Sequence, residues 1–168
     1  AGSGNGGSED FVVSGSYSNV SGALSPDNWL VSPLVTLGGS ISFYAGGQDA
    51  TYANEYFGVF VSTTSNTDPA AFTQLDAWTL NADGTGTRSS RRKDQGVWGL
   101  FTVDLSAYAG QTGYVAIRHF NCTDQFMLNI DDITIVQPGG GEEEPWTVVE
   151  GATSPYTISG LTPETKYQ

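Results

Sequence analysis

The chain is poor in the residues from which most catalytic and metal centres are built. Its 168 residues hold one cysteine, Cys122, and one histidine, His119. A single cysteine excludes an intramolecular disulfide and every paired-cysteine zinc spacing; its ordinary role is that of a small buried hydrophobe. Lysine and arginine together number 6 against 18 acids, a formal charge of −12. That balance repels phosphate backbones and argues against nucleic acid as a partner. It suits divalent cations and a secreted, soluble chain. No apolar run approaches the ~20 residues of a membrane-spanning helix, so membrane insertion is not expected. No stretch sustains a helical period, although TDPAAF (67–72) fits a single turn. Neither a Gly-x-Ser-x-Gly elbow nor a phosphate-binding Gly-Lys-Ser/Thr loop occurs.

What is present is a series of short runs rich in Val, Ile, Phe, Tyr and Thr, separated by Gly, Pro, Asn and Asp. They predict strands over 11–17, 29–37, 40–45, 56–63, 72–80, 99–105, 113–120 and 126–136. In GYVAIRHFN, Val115, Ile117 and His119 fall on one face and Tyr114, Ala116, Arg118 and Phe120 on the other. Many short strands with turn residues between them define an all-β sandwich or barrel. A chain of this length carries one full domain and an appendage. Residues 1–8 are glycine and serine with one alanine and one asparagine, and are expected to be flexible. Residues 9–137 form the sandwich, 138–145 a Gly/Glu linker in which three adjacent glutamates repel one another, and 146–168 a partial module.

Catalysis has little to stand on. His119 and Cys122 can be written as a dyad, but residues three apart on a strand point to opposite faces, so the pair is expected not to meet. No pair of carboxylates is singled out for glycoside hydrolysis. The expectation is a chain without catalysis, in which His119 is a packed or hydrogen-bonded strand residue.

Acids and amides recur at predicted strand ends: Asp27 and Asn28; Gln48, Asp49, Asn54 and Glu55; Asn121 and Asp124; Asn129, Asp131 and Asp132. Calcium takes six to eight oxygens from such groups. The expectation is calcium near Asp49 and Glu55, with Asp131 or Asp132 as a further ligand group and Asp27 and Asp124 as additional candidates. The alternative is turn chemistry, since Asp and Asn favour loops. If Ile130 and Ile133 both turn inward in part, one of the two aspartates between them faces inward or lies at a bend. NADGTG (81–86) opens like an EF-hand loop, but Arg92 stands where the bidentate acid is required. RSSRRK (88–93) concentrates four of the six basic residues, as an exposed loop, an anion patch or a processing site.

The motifs PDNWL-x-SP, QDA-x-Y-x-x-E, RH-x-N-C-x-D and DDI stand in this order within residues 9–136. This stretch resembles the cleaved adhesin domain, the repeated haemagglutinin/adhesin module attached to gingipain-type cysteine proteases and found in related surface proteins of anaerobic bacteria. The resemblance implies a jelly-roll β-sandwich, bound calcium and secretion to the bacterial cell surface. It also implies adhesion to host proteins of the haemoglobin or matrix type. The same shape recurs in carbohydrate-binding modules, which keeps glycans open through aromatics such as Trp78, Trp98 or Tyr52. A glycosidase or protease fragment is the third reading. At the C-terminus, Leu161, Pro163, Thr165 and Tyr167 resemble the tyrosine-corner stretch of fibronectin type III modules. Members of the adhesin family usually carry an acidic strand and a Gly/Asp-rich stretch ahead of GSEDF, where this chain has AGSGNGGS. That departure predicts a missing strand and an open sheet edge. Residues 146–160 are expected to add to that edge, in cis or by strand exchange in a dimer.

Overall fold

The structure, a computed structural model, describes residues 4–80 and 97–138. Its strands are β1 (Val12–Gly15), β2 (Tyr17–Ser18), β3 (Gly22–Ala23), β4 (Asp27–Val31), β5 (Val35–Thr36), β6 (Ser40–Gly47), β7 (Tyr56–Ser62), β8 (Thr73–Thr79), β9 (Gly99–Asp104), β10 (Thr112–Phe120) and β11 (Met127–Val136). One sheet has the order β1-β11-β6-β9 and the other β4-β10-β7-β8, with β5 also pairing β10. With β4 and β5 counted as one interrupted strand, the chain passes back and forth between the two sheets, and only β7 and β8 are successive strands of one sheet. That interleaving of two four-stranded antiparallel layers is a jelly roll. β2 and β3 form a separate hairpin.

Alternation along the central strands builds the core. Ile41 and Phe43 of β6, Phe57, Val59 and Val61 of β7, Val115 and Ile117 of β10, and Leu128 and Ile130 of β11 form one buried cluster between the sheets. Phe43, Phe57, Phe101 and Trp78 pack ring against ring, with centroids 5.1–6.1 Å apart. Such pairs add about 0.5–1.5 kcal/mol each beyond their buried area.

Three features differ from expectation. The strand foreseen over 29–37 is two pieces, broken at Pro33, which has no N–H for the ladder. Ser32 bridges the gap: its N–H donates to the Val115 carbonyl (2.9 Å), and its hydroxyl oxygen accepts from the Val115 N–H (3.0 Å). The N-terminal residues from Gly4 to Ser8 are not a free tail. Gly4 is buried, and a Cβ there would strike Ser8 and Asp131. The Asn5 N–H (2.8 Å) and the Ser8 hydroxyl (2.7 Å) both donate to Asp131 Oδ2. Finally, the described strands fill all eight positions of the jelly roll, so the expected gap in the sheet is absent. The NADGTG and RSSRRK stretches, the linker beyond residue 138 and the fibronectin-like segment lie outside the described residues.

The TDPAAF turn is a short 3-10 helix, Pro69–Ala71, capped by the Asp68 carboxylate accepting from the Ala70 N–H. At the DDI motif the β11–β6 register shifts between Asp131 and Thr134, and Asp132 adopts φ 50°. The two aspartates therefore sit at a bulge, with Ile130 buried and Ile133 exposed.

Candidate functional site

At the end of the sandwich where β10 stops and β7 and β11 begin, a carboxylate is enclosed. Glu55 directly precedes β7; its backbone is fixed by Glu55 N–H to Ala53 O (2.7 Å) and Leu80 N–H to Glu55 O (2.8 Å). Its side chain is fully buried. Oε1 accepts from the Ser16 hydroxyl (2.9 Å) and the Phe126 N–H (3.0 Å). Oε2 lies 2.9 Å from His119 Nε2 and accepts from the Cys122 thiol at 3.4 Å. Four partners thus meet both oxygens, the condition under which a carboxylate can be buried without a large penalty. His119, also buried, turns Nδ1 to the Ser14 hydroxyl (2.7 Å), whose oxygen accepts from Asn28 Nδ2 (2.9 Å). Strands from both sheets are stitched together here.

His119 and Cys122 do meet, against the expectation from strand alternation: Sγ lies 3.1 Å from Nε2. The strand ends at Phe120, and Asn121 takes φ 52°, which turns the chain back and swings Cys122 under the imidazole. The contact is not a nucleophile–base relay. Thiol and carboxylate converge on the same nitrogen, whereas an orienting acid belongs on the other one. Burial pushes the Cys122 thiol up to about 11, the Tyr56 N–H pulls against this, and the nearby Glu55 carboxylate adds to it. The thiol is protonated at neutral pH and a poor nucleophile.

The other predicted acids separate. Asp27 is bound to Arg118 through Nε (2.7 Å) and Nη2 (3.0 Å). That hydrogen bonding, against some burial, holds its carboxyl below the ordinary value. Asp131 accepts three hydrogen bonds, from the Ser8 hydroxyl and from the N–H groups of Asn5 and Asp132. Asp132 accepts from Asn5 Nδ2 (2.9 Å). Asp49 Oδ1 accepts from the N–H groups of Thr51 (2.7 Å) and Tyr52 (3.2 Å). Asp49 and Asp124 line one cleft of about 450 Å³ with Tyr17, Asn19, Tyr52 and Gln125. Tested against calcium, Glu55 does not fit: it brings two oxygens already engaged, beside a nitrogen and a sulfur. Asp27 is neutralised by Arg118. The Asp49–Asp124 cleft does fit: two carboxylates stand there with the amide oxygens of Asn19 and Gln125 and no imidazole or thiol, the donor class that calcium takes.

One surface was not foreseen. On the solvent face of the β4-β10-β7-β8 sheet, Arg118 lies with its guanidinium carbon 4.7 Å from the Trp29 ring centroid and 4.3 Å from that of Phe120. Trp29 packs on Phe60 (5.1 Å) and Phe72 (5.2 Å), and Phe120 packs on Tyr56 (5.0 Å). Trp29 Nε1 donates to Asp27 Oδ1 (2.9 Å). The sequence showed Arg118 and Phe120 sharing a face; the pairing of Arg118 with Trp29 across β10 and β4 completes the arrangement. By contrast, Trp78 packs on Phe57 and Phe101, and Trp98 against Phe11. Of the three aromatics suggested for glycans, Tyr52 is the exposed one.

The profile of the Cleaved Adhesin Domain matches residues 2–135. The chain is 39% identical over 165 residues to Hemagglutinin A of Porphyromonas gingivalis, and 38% identical over 165 residues to Lys-gingipain W83 of the same organism. Each match covers 94% of this chain but only 6% and 9% of those proteins. Among solved structures, the K1 cleaved adhesin domain of Lys-gingipain from P. gingivalis W83 superposes with a TM-score of 0.67 at 39% identity, covering 77% of this chain and 75% of that one. The K3 domain of the same protein gives 0.65 at 38% identity, with the same coverage of each chain. This chain belongs to the cleaved adhesin domain family.

Proposed function

We propose that the chain is a non-catalytic adhesive module, exported to the bacterial surface, that binds host proteins through the aromatic–arginine face of the β4-β10-β7-β8 sheet. The observation that carries this reading is the order already present in that face. Trp and Arg are the residue types that dominate binding hot spots. Here Arg118 is held between two rings and by a bidentate carboxylate, so little side-chain freedom remains to be lost on association. Haemoglobin and matrix-type proteins are the partner class proposed. Glycans are the second reading, favoured by the same stacking surface and by Tyr52 over the Asp49–Asp124 cleft.

We also propose calcium in that cleft, held by Asp49 and Asp124 with amide oxygens from Asn19 and Gln125. It would supply charge neutralisation that stiffens the loops at the sandwich end. No helix among the described residues is long and apolar enough to cross a membrane. The test is binding to immobilised haemoglobin, matrix proteins and a glycan array, with calcium and with a chelator. Trp29→Ala and Arg118→Ala are expected to weaken binding at least tenfold while the fold is kept. Unchanged binding in both variants would overturn the assignment of the face.

A further inference from the structure

We propose that Glu55, His119 and Cys122 form a binding site for one divalent cation of the zinc class. Its ligands are distinct from the residues of the adhesive face and from the acids of the neighbouring calcium cleft. Oε2, Nε2 and Sγ stand 2.9, 3.1 and 3.4 Å from one another, and they are the carboxylate, imidazole and thiol donors that zinc takes. Zinc with bonds of ~2.0–2.3 Å holds tetrahedral ligand atoms about 3.3–3.6 Å apart. The three therefore need to spread by about half an ångström at most. A set with one carboxylate, one nitrogen and one sulfur is wrong for calcium, which wants oxygen throughout.

The surroundings are those of a supported ligand set. Glu55 Oε1 is fixed by Ser16 and Phe126, leaving Oε2 for the ion. His119 Nδ1 faces the Ser14 hydroxyl, which is positioned by Asn28 and has lone pairs to accept from an Nδ1–H. With the ion bound, that partner holds the imidazole proton on Nδ1 and leaves Nε2 free to ligate. Glu55 and His119 are buried and Cys122 is half-buried, so the ion enters from the cysteine side, where a water takes the fourth position.

The balance of charge closes. Binding expels the thiol proton to solvent, and the neutral imidazole moves its proton from Nε2, where it faced Glu55, to Nδ1, where the Ser14 hydroxyl accepts it. One carboxylate and one thiolate then match the two charges of the ion, giving a neutral buried cluster. Without the ion, the same atoms are satisfied by two protons shared around Oε2, so the fold does not depend on metal.

The chain has one histidine and one cysteine, which makes assignment direct. The tag-free full chain, reduced and stripped of metal, is titrated with cobalt(II), then with zinc. The expected result is a one-to-one thiolate-to-cobalt charge-transfer band with tetrahedral d–d bands. Zinc bleaches both, and calcium in large excess leaves both unchanged. Affinity falls about tenfold per pH unit lowered, because one thiol proton is released. Cys122→Ser, at a half-buried position and checked for folding by its melting transition, loses the charge-transfer band. Zinc also slows alkylation of Cys122 in the wild-type chain. Absence of these bands in the folded wild-type protein overturns the proposal, as does their survival in Cys122→Ser or their displacement by calcium.

Discussion

Glu55 is a charge placed inside the protein, and its stability rests on the partners around it. Two donors reach Oε1, and His119 and Cys122 meet Oε2. Glu55→Gln keeps the shape but turns one oxygen into an NH2 group that faces donors. It is expected to destabilise the fold by roughly 3 kcal/mol, from an unsatisfied buried group and lost charge assistance. Urea unfolding at pH 7 reads this directly, and a change below about 0.5 kcal/mol would show that the network carries little stability. Cys122 belongs to the same scale. Its thiol, pushed up to about 11 chiefly by burial, is expected to react far more slowly with iodoacetamide at pH 8 than the same thiol in urea. Equal rates would contradict the burial.

At the scale of elements, the weak points are a broken strand and a hooked terminus. Ser32 replaces the ladder contacts interrupted beside Pro33, using its N–H and its hydroxyl. Ser32→Ala is expected to cost about 1 kcal/mol, the value of one internal hydrogen bond, measured as a shift in the denaturation midpoint. The N-terminal hook depends on Asp131. Burial there raises the carboxyl, but hydrogen bonds from Ser8 and from the Asp132 and Asn5 N–H groups outweigh it, and the net shift is downward from 3.8. A folded-state value below the unfolded one stabilises the fold above the unfolded value, and that contribution is lost as pH falls through the folded value. Acid below about pH 4 is therefore expected to release residues 4–8 first. Asp131→Asn should flatten this part of the stability–pH curve and expose the N-terminus to proteolysis at neutral pH. An unchanged acid limb would place the acid sensitivity elsewhere.

For the whole molecule, the core and the two proposed binding regions occupy separate parts. The inner faces of the sheets make the core, the outer face of the β4-β10-β7-β8 sheet presents Trp29, Arg118 and Phe120, and the loop end holds the Asp49–Asp124 cleft. Calcium added to metal-stripped protein at a hundredfold excess over Kd is expected to stabilise it by about 2.7 kcal/mol, a rise of several degrees in Tm. Asp124→Asn is expected to abolish that rise and leave the cobalt response of Cys122 intact. A Tm indifferent to calcium would remove the metal from the cleft.

How much of this was legible before folding follows from the range over which each determinant acts. Alternation is local, so the sequence alone puts Val115, Ile117 and His119 on one face and Arg118 and Phe120 on the other; the structure buries the first set and leaves the second partly exposed. At DDI the local pattern left two outcomes, an inward aspartate or a bend, if both isoleucines turned inward; the structure has a bulge, with Ile130 buried and Ile133 exposed. Proline at residue 33 was equally local, and the break it makes could have been read from its missing N–H. The PDNWL, QDA and RH-x-N-C-x-D motifs carried the family, and with it the jelly roll. The sequence could not show that Glu55 and His119, 64 residues apart, would enclose one hydrogen-bonded cluster with Cys122. Nor could it show that Asp131 would be bound by a terminus 126 residues away, or that Trp29 would lie beneath Arg118. Strand order brings these groups together, and strand order is a choice among long-range pairings that no local pattern encodes. The Cys122 contact, only three residues from His119, was missed for a different reason: one left-handed residue, Asn121, cancels the alternation that places such neighbours on opposite faces.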